Sequence, residues 1–264
     1  MPVRIVHRKE FADLLPVDAH LLSSMRNDAR NFFGYVETQG AWLPTTLDLI
    51  RQRIKQPGRG LIRVMDLGPG NGAHFADAPK SPRLRHYAFG PNKPSQAPDF
   101  VTHLPHWIEE TVMPDSADLM QSRWGAVHHA ANRSIALENA LNSLRTGGQL
   151  VLHSRELSDL PYELRDYAKN RKSELRDDLL SCIARYRSAS ASDAQRMEDN
   201  DGFYLSHRVL TELGRQGFNV PSDAEFADAY AHGRDLIIRK NRSRADLKAF
   251  YASLNRSFVK IPVY

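Results

Sequence analysis

The sequence lacks the features that mark several common protein classes. It has one cysteine in 264 residues, Cys182, so it can form neither an internal disulfide nor a cysteine-rich zinc site. No run approaches the roughly 18 consecutive apolar residues of a membrane-spanning helix, and the stretch Met1 to Lys9 lacks the apolar core of a signal peptide. We therefore expect a cytoplasmic protein without a membrane segment, although signal-independent export would leave no trace in the sequence.

A strong excess of one charge is also missing. The net charge is +5, from 36 basic and 31 acidic residues, and the basic residues are scattered over predicted helices. No basic stripe is interleaved with aromatic residues in the way that nucleic-acid binding uses. Nucleic acid is therefore the less favoured partner, and the length suits one α/β domain with additions.

The most informative stretch is an apolar run, Leu61 to Met65, followed by an acid and three glycines in Asp66-Leu67-Gly68-Pro69-Gly70-Asn71-Gly72. Apolar runs favour a strand, and glycines allow a tight turn. Residues 73–78 predict a short helix that Pro79 and Pro82 stop. Together these elements place backbone N–H groups around a concavity that suits a nucleotide-like ligand. A tight turn that binds nothing is the alternative.

Strands and helices alternate along the middle of the chain, which predicts a parallel sheet covered on both faces. The predicted strands are 61–65, 85–89, 99–104, a fourth ending at 122, and 149–153, and the predicted helices include 43–55 and 126–144. Later residues predict charged helices at 160–186, a small-residue linker at 188–192 and a helix at 205–216. A strand running discontinuously from Phe218 towards Tyr230 and a final strand at 235–240 would be antiparallel, because the turn between them is short.

The spacing of the glycine stretch differs from the Gly-x-Gly-x-x-Gly pattern of dinucleotide-binding proteins. In this form it resembles the first motif of class I S-adenosylmethionine-dependent methyltransferases. Pro114 to Leu119 resembles the approach to the family's fourth strand, Leu144 to Leu152 its turn into the fifth strand, and Phe218 to Lys240 its antiparallel last strand. The resemblance covers roughly residues 43 to 240.

This resemblance implies an α/β, Rossmann-like fold. The expected sheet has seven mostly parallel strands with an antiparallel last strand, helices on both faces and a helical insertion after the fifth strand. The expected organisation is an N-terminal helical arm at 1–42, a methyltransferase-like domain at 43–240 and a C-terminal helical tail at 241–264. A helical cap insertion at 155–205 would cover the acceptor pocket, and its basic residues would meet an acidic substrate or form an exposed face.

The same resemblance implies S-adenosylmethionine as the cofactor. The glycines would let the loop pass under its methionine part, and Asp66 would order the loop or hold the amino group through water. Residues after the third strand would read the adenine, and residues ending the fourth would hold the amino-acid end. Tyr35 would close over the ligand or pack on the core, as would Trp42. The expected cofactor-binding residues are Asp66, Gly68, Pro69, Gly70, Asn71, Gly72, Gly90, Asn92, His103, Leu104, Ser122, Arg123 and Tyr35.

The end of the second predicted strand departs from the family pattern. The family usually has Asp or Glu there, which accepts hydrogen bonds from both ribose hydroxyls, whereas this strand ends Ala88-Phe89-Gly90-Pro91-Asn92. Asn92 offers one neutral acceptor, and losing a charge-assisted pair costs about 1–3 kcal/mol. The departure predicts weak cofactor binding, compensation by another group, or loss of methyl transfer.

His128 and His129 follow the fourth predicted strand and are the candidate catalytic residues, one of them as a base near neutral pH. Alternatively, they are helix-start residues with satisfied hydrogen bonds. No helix-borne His-Glu-x-x-His pattern accompanies the histidines at 103, 106, 128 and 129, so we expect no metal site.

The sequence therefore predicts an S-adenosylmethionine-dependent methyltransferase acting on a small molecule or a protein side chain. No Asn-Pro-Pro-Tyr acceptor motif is present, which counts against methylation of nucleobases or glutamine. The alternative is a catalytically inactive methyltransferase-like binding or scaffold protein, and a nucleic-acid methyltransferase is less favoured. The acceptor and the oligomeric state are not predicted.

Overall fold

The structure, a computed structural model, describes residues 4–7, 40–57, 60–123, 125–127, 130, 133–165 and 174–241. The strands are β1 Val6–His7, β2 Ile62–Leu67, β3 Leu84–Phe89, β4 Val101–Leu104, β5 Thr111–Val112, β6 Ala117–Ser122, β7 Leu144–His153 and β8 Asp235–Arg239. The helices are α1 Pro44–Lys55, α2 Arg133–Ser143, α3 Leu175–Ser188, α4 Ala191–Asn200, α5 Gly202–Arg215 and α6 Asp223–His232. Short 3₁₀ turns are found at Ala73–Asp77, Ser154–Glu156 and Tyr162–Leu164.

The main sheet has the order β4-β3-β2-β6-β7-β8. Its first five members are parallel, and β8 is antiparallel to β7. Counted along the chain, this is the doubly wound order 3-2-1-4-5-6, with the switch point between β2 and β6. The predicted Rossmann-like α/β sheet with an antiparallel last strand is therefore confirmed. A separate pair joins β1 to β5.

Both faces of the sheet are buried, as the sequence predicts. Along β2, Ile62 and Val64 pack with Ile50 of α1 on one face. Met65 and Leu67 point to the other face, where they join apolar residues of α2, α3, α5 and α6. This alternation follows from the two-residue period of a strand. The helices that follow β7 include α3 and α4, which form the helical insertion.

The predicted strand from Phe218 towards Tyr230 is wrong. Asn219 makes one isolated antiparallel bridge to Arg239, and α6 occupies the rest of the segment. The helix forms because Ser222 and Glu225 build a capping box, in which each side chain accepts a hydrogen bond from the other residue's backbone N–H. Within the described residues, the main sheet thus has six strands and one bridge at the seventh position.

The predicted start of the fifth sheet strand is also different. The sequence predicts a helix up to residue 144 and a strand from residue 149. In the structure β7 already begins at Leu144, so Thr146-Gly147-Gly148 lies within the strand. The pairing of β7 with β6 shifts register between Ala117 and Leu119, and Gly147 has a φ of 79°. The residues of β7 between Leu144 and Gln149 therefore form a bulge in the strand. The predicted linker at 188–192 reduces to a two-residue connection between α3 and α4.

A buried carboxylate, Asp118, links the amino ends of the central strands β2 and β6. Asp118 of β6 accepts a hydrogen bond from the Arg63 amide at 2.9 Å and pairs with the guanidinium groups of Arg53 and Arg145. A buried carboxylate is stable only with such partners.

No described helix has the length and apolarity needed to cross a membrane. Most of the predicted N-terminal arm and nearly all of the predicted C-terminal tail lie outside the described residues.

Candidate functional site

The carboxyl ends of the parallel strands lie on one edge of the sheet. The glycine loop, defined as Gly68–Gly72, follows β2, and Arg123 with Gly125–Val127 follows β6. Because β2 and β6 are neighbours at the switch point, the segments after them border the crevice where open α/β sheets bind ligands. This edge is the candidate site.

The glycine loop owes its shape to positive φ angles of 81°, 59° and 78° at Gly68, Gly70 and Gly72. A Cβ on Gly68 would lie 2.5 Å from the Ala126 nitrogen, and one on Gly72 would lie 2.7 Å from Cβ of Pro94. Close contacts inside the protein therefore require these two glycines. Gly70 is exposed at the apex of the loop.

Two backbone amides at the apex have no hydrogen-bond acceptor among the described residues. No described residue accepts a hydrogen bond from the amides of Gly70 and Asn71, whereas those of Gly68 and Gly72 donate to carbonyl oxygens of the protein. The Asn71 side chain turns inward, where its Oδ1 accepts from the Ala73 amide at 3.1 Å. Two adjacent amides with no internal acceptor suit a carboxylate or another anionic group.

Asp66 at the end of β2 lies beneath this loop and is only 3% exposed. Its Oδ2 is 2.7 Å from Nε2 of His74 and accepts from Nε2 of Gln121 at 2.8 Å. Gln121 in turn accepts from the Leu43 amide at 3.1 Å. The carboxylate is thus tied to the 3₁₀ turn, to β6 and to the chain before α1.

Trp42 packs on the same cluster. It is 7% exposed, and its Nε1 donates to the carbonyl oxygen of His74 at 2.9 Å. Its ring makes an edge contact with Phe75 at a centroid distance of 5.3 Å. Of the two roles that the sequence left open for Trp42, the structure shows packing on the core.

Neutral groups surround the end of β3. The Gly90 carbonyl lies 2.9 Å from Nε2 of His103, and Asn92 is exposed. Among the described residues, a Cβ on Gly90 would meet only Cδ of Pro69, at 3.9 Å, so this part of the chain leaves room beside the glycine. Residues 90–98 contain no carboxylate. The segment after β3 therefore does not itself supply the ribose acid of the family pattern.

The ends of β6 and β7 are joined by a buried polar pair. The Ser122 hydroxyl donates to Oε1 of Glu156, and the Glu156 side chain is fully buried. The same hydroxyl oxygen lies 3.5 Å from the Leu67 carbonyl oxygen. The Val127 amide approaches the same hydroxyl at 3.5 Å. Ser122 therefore holds the chain after β6 against β2 with its side chain, while Arg123 is exposed.

One histidine at this edge has a shifted pKa. His153 ends β7 and is half-buried. Burial lowers its pKa, and the charge of Asp235 opposes this in part. Its Nδ1 accepts a hydrogen bond from the Arg155 amide at 3.3 Å. The imidazole is therefore neutral at physiological pH.

The structure brings most of the predicted cofactor residues to one edge. Those described there are Asp66, Gly68, Pro69, Gly70, Asn71, Gly72, Gly90, Asn92, His103, Leu104, Ser122 and Arg123. The Leu104 side chain belongs to the core, so only its backbone borders the site. Tyr35, His128 and His129 lie outside the described residues, and their roles stay predictions.

Sequence reasoning missed His74, Gln121, Glu156 and His153. Gln121 could have been identified from the sequence as a buried hydrogen-bonding residue, because a polar side chain within a buried strand requires a partner. His74 and Glu156 carried none, since their partners lie on other elements. Arg185, one of the basic residues of the predicted helical insertion, pairs with Glu163 and is exposed.

Two cavities lie among the helices after β7, away from the glycine loop. One, of about 680 Å³, is bordered by Arg187, His207 and Asp223. The other, of about 540 Å³, is bordered by Tyr162 and Tyr204. Among the described residues, no three His, Cys, Asp or Glu side chains are grouped as metal ligands.

No family model matches the sequence, and no curated protein is significantly similar to it. Among solved structures, a candidate S-adenosyl-L-methionine-dependent methyltransferase from Methanococcus maripaludis is 16% identical with a TM-score of 0.39, over 88% of this chain and 99% of that chain. The CurJ carbon methyltransferase is 14% identical with a TM-score of 0.43, over 74% and 52%. The 1,6-didemethyltoxoflavin-N1-methyltransferase of Burkholderia thailandensis is 17% identical with a TM-score of 0.35, over 52% and 65%.

Similarities at this level carry no argument about activity. The sheet order and the glycine loop at the switch point are features of the chain itself. They give it a doubly wound, Rossmann-like α/β fold.

Proposed function

We propose that the chain binds S-adenosylmethionine at the glycine loop and transfers its methyl group to a small molecule or a protein side chain. One observation carries the proposal. The loop after β2 lies at the switch point, and the apex amides of Gly70 and Asn71 find no acceptor among the described residues. Such amides suit the carboxylate of an amino-acid ligand.

The residues present fit this cofactor in part. Among the described residues only Pro69 approaches Gly90, and this room would let a ligand pass close to the end of β3. When bound, the cofactor supplies an electrophilic methyl group on a sulfonium. The chain's own task is then to hold and align both reactants and to exclude water. We assign that task to the glycine loop and to the backbone at Ser122 and Arg123.

The end of β3 supports weak binding. A neutral amide such as that of Asn92 accepts a hydrogen bond less strongly than a carboxylate does. The difference of about 1–3 kcal/mol corresponds to a loss of up to roughly a hundredfold in affinity. We therefore expect a dissociation constant well above that of a family member with the acid.

The missing acid at the end of β3 also supports a second candidate, a methyltransferase-like binding or scaffold protein without turnover. Residues 90–98 contain no acid, and no acceptor motif is evident in the sequence. The two candidates differ in one respect. The enzyme binds S-adenosylmethionine and consumes it in the presence of an acceptor, whereas the binding protein does not.

Calorimetry with S-adenosylmethionine and S-adenosylhomocysteine tests the proposal. Gly70→Asp should abolish binding, because it places a side chain and a negative charge at the apex that receives the ligand. Gly60→Asp is the matched control. It adds the same charge before β2, at the opposite end of the strand, where a Cβ meets none of the described residues within 4 Å.

Absence of binding at millimolar ligand would refute the proposal. If both aspartate variants bound like the wild type, the ligand would lie away from the loop. If binding occurs, release of S-adenosylhomocysteine with candidate acceptors separates the enzyme from the scaffold. A nucleic-acid acceptor would add strongly salt-dependent RNA or DNA binding.

A further inference from the structure

One oxygen of the buried Asp66 carboxylate is held by two side chains of the protein. Two donors, Nε2 of His74 and Nε2 of Gln121, converge on the same oxygen at 2.7 and 2.8 Å. Charge-assisted hydrogen bonds of this kind are the strong ones in proteins. These two bonds tie the carboxylate to the 3₁₀ turn and to β6.

The bond between Asp66 and His74 spans the glycine loop. Asp66 lies in β2, two residues before Gly68, and His74 lies in the 3₁₀ turn, two residues after Gly72. The bond therefore ties together the two ends of a segment that has positive φ at three glycines. Such a segment has many accessible conformations when it is not restrained, because glycine has the most backbone freedom.

The His74 ring is also fixed from its other side. It lies 5.1 Å from the Trp42 ring in an edge contact and 4.5 Å from the Phe75 ring. A Cβ on Gly40 would lie 2.5 Å from its Nδ1, so the chain before α1 packs directly on that nitrogen. Nδ1 is buried and has no hydrogen-bond partner in the described part of the chain. The surroundings thus leave Nε2 as the nitrogen that serves Asp66.

We propose that His74 is a positioning residue, which donates its Nε2–H to Asp66 and thereby holds the glycine loop in the conformation that receives a ligand. The inference rests on the proposed function for the identity of that ligand. Of the two roles that the resemblance allowed for Asp66, the bonds at its Oδ2 support the ordering of the loop.

A pair of substitutions separates the hydrogen bond from ring packing. His74→Phe keeps a ring against Trp42 and Phe75 but removes the donor. His74→Gln loses the ring but places an amide N–H near the position of Nε2. If the hydrogen bond positions the loop, affinity for S-adenosylhomocysteine should fall by about tenfold or more in His74→Phe and recover at least in part in His74→Gln.

Hydrogen exchange of the ligand-free protein supplies a readout that does not depend on the cofactor. Amides of the 68–72 segment should exchange faster in His74→Phe than in the wild type, and slower again in His74→Gln. Equal exchange in all three proteins would overturn the inference. Failure of the wild type to bind any cofactor would refute the proposed function and leave the exchange result valid.

A third measurement needs no variant, in case His74→Phe does not fold. Long-range ¹H–¹⁵N spectra of the wild type report which imidazole nitrogen carries a proton. The inference requires a proton on Nε2 of His74. A neutral ring protonated only on Nδ1 would overturn it, because Asp66 would then face a nitrogen without a donor.

Discussion

Gly68 lies so close to the chain after β6 that a Cβ would be 2.5 Å from the Ala126 nitrogen. The Ala126 amide donates to the Leu67 carbonyl oxygen at 2.9 Å, which fixes the two segments together. Gly125 makes the reciprocal approach, with a Cβ position 2.0 Å from the same carbonyl oxygen. The two loops that border the switch point therefore meet backbone to backbone.

We predict that Gly68→Ala destabilises the protein by about 2–5 kcal/mol. A left-handed residue with a Cβ costs about 1–2 kcal/mol, and forcing an extra methyl into a packed contact costs about 1–3 kcal/mol more. Urea unfolding of the variant and the wild type measures the difference.

Gly147→Ala is the matched control, because Gly147 has nearly the same φ, 79° against 81°, but a Cβ there meets nothing within 4 Å. It should show the conformational cost alone, about 1–2 kcal/mol. Equal losses in the two variants would show that the contact with Ala126 contributes nothing.

The glycine loop could be predicted because its causes are local. An apolar run favours a strand, and glycines at alternate positions favour a turn, whatever the rest of the chain does. The alternation of strands and helices likewise predicted a parallel sheet covered on both faces. These local signals were enough to place the candidate site at the carboxyl edge.

The remaining features depend on distant partners or on a few decisive contacts. Gln121 is 55 residues from Asp66, so the bond between them cannot be read from either neighbourhood. In the segment before Tyr230, a short apolar pattern fits either a strand or a helix, and the Ser222–Glu225 capping box decides for the helix. The bulge at Gly147 likewise follows from pairing with β6.

A second prediction concerns the pH dependence of stability. Burial lowers the pKa of His207, although its hydrogen bond to Asp223 and the charge of that residue act in the opposite direction. Arg187 nearby lowers it further. The unfolded state therefore binds more protons than the folded state below about pH 6.5, so stability falls as the pH falls through the range beneath that value.

His207→Gln should flatten this dependence. Glutamine can still donate to Asp223, which lies 3.0 Å from Nε2 of the histidine, but it does not titrate. The slope of unfolding free energy against pH should decrease by up to about 1.4 kcal/mol per pH unit between pH 5 and 6.5. Denaturant unfolding at several pH values measures it. A residual slope is expected, because burial also lowers the pKa of His86 and His153. An unchanged slope would contradict the prediction.

The last prediction concerns Cys182, the one thiol of the chain. Burial, followed by the hydrogen bond to Glu163 and the charge of that residue, raises its pKa to about 11. Since the thiolate is the reactive form, the folded protein should react with iodoacetamide at neutral pH at least about a hundredfold more slowly than the protein in denaturant. Glu163→Gln removes the negative charge and should speed the reaction, provided that unfolding curves show the variant remains folded. Equal rates for the folded and denatured wild type would show that the thiol is neither buried nor stabilised in its protonated form.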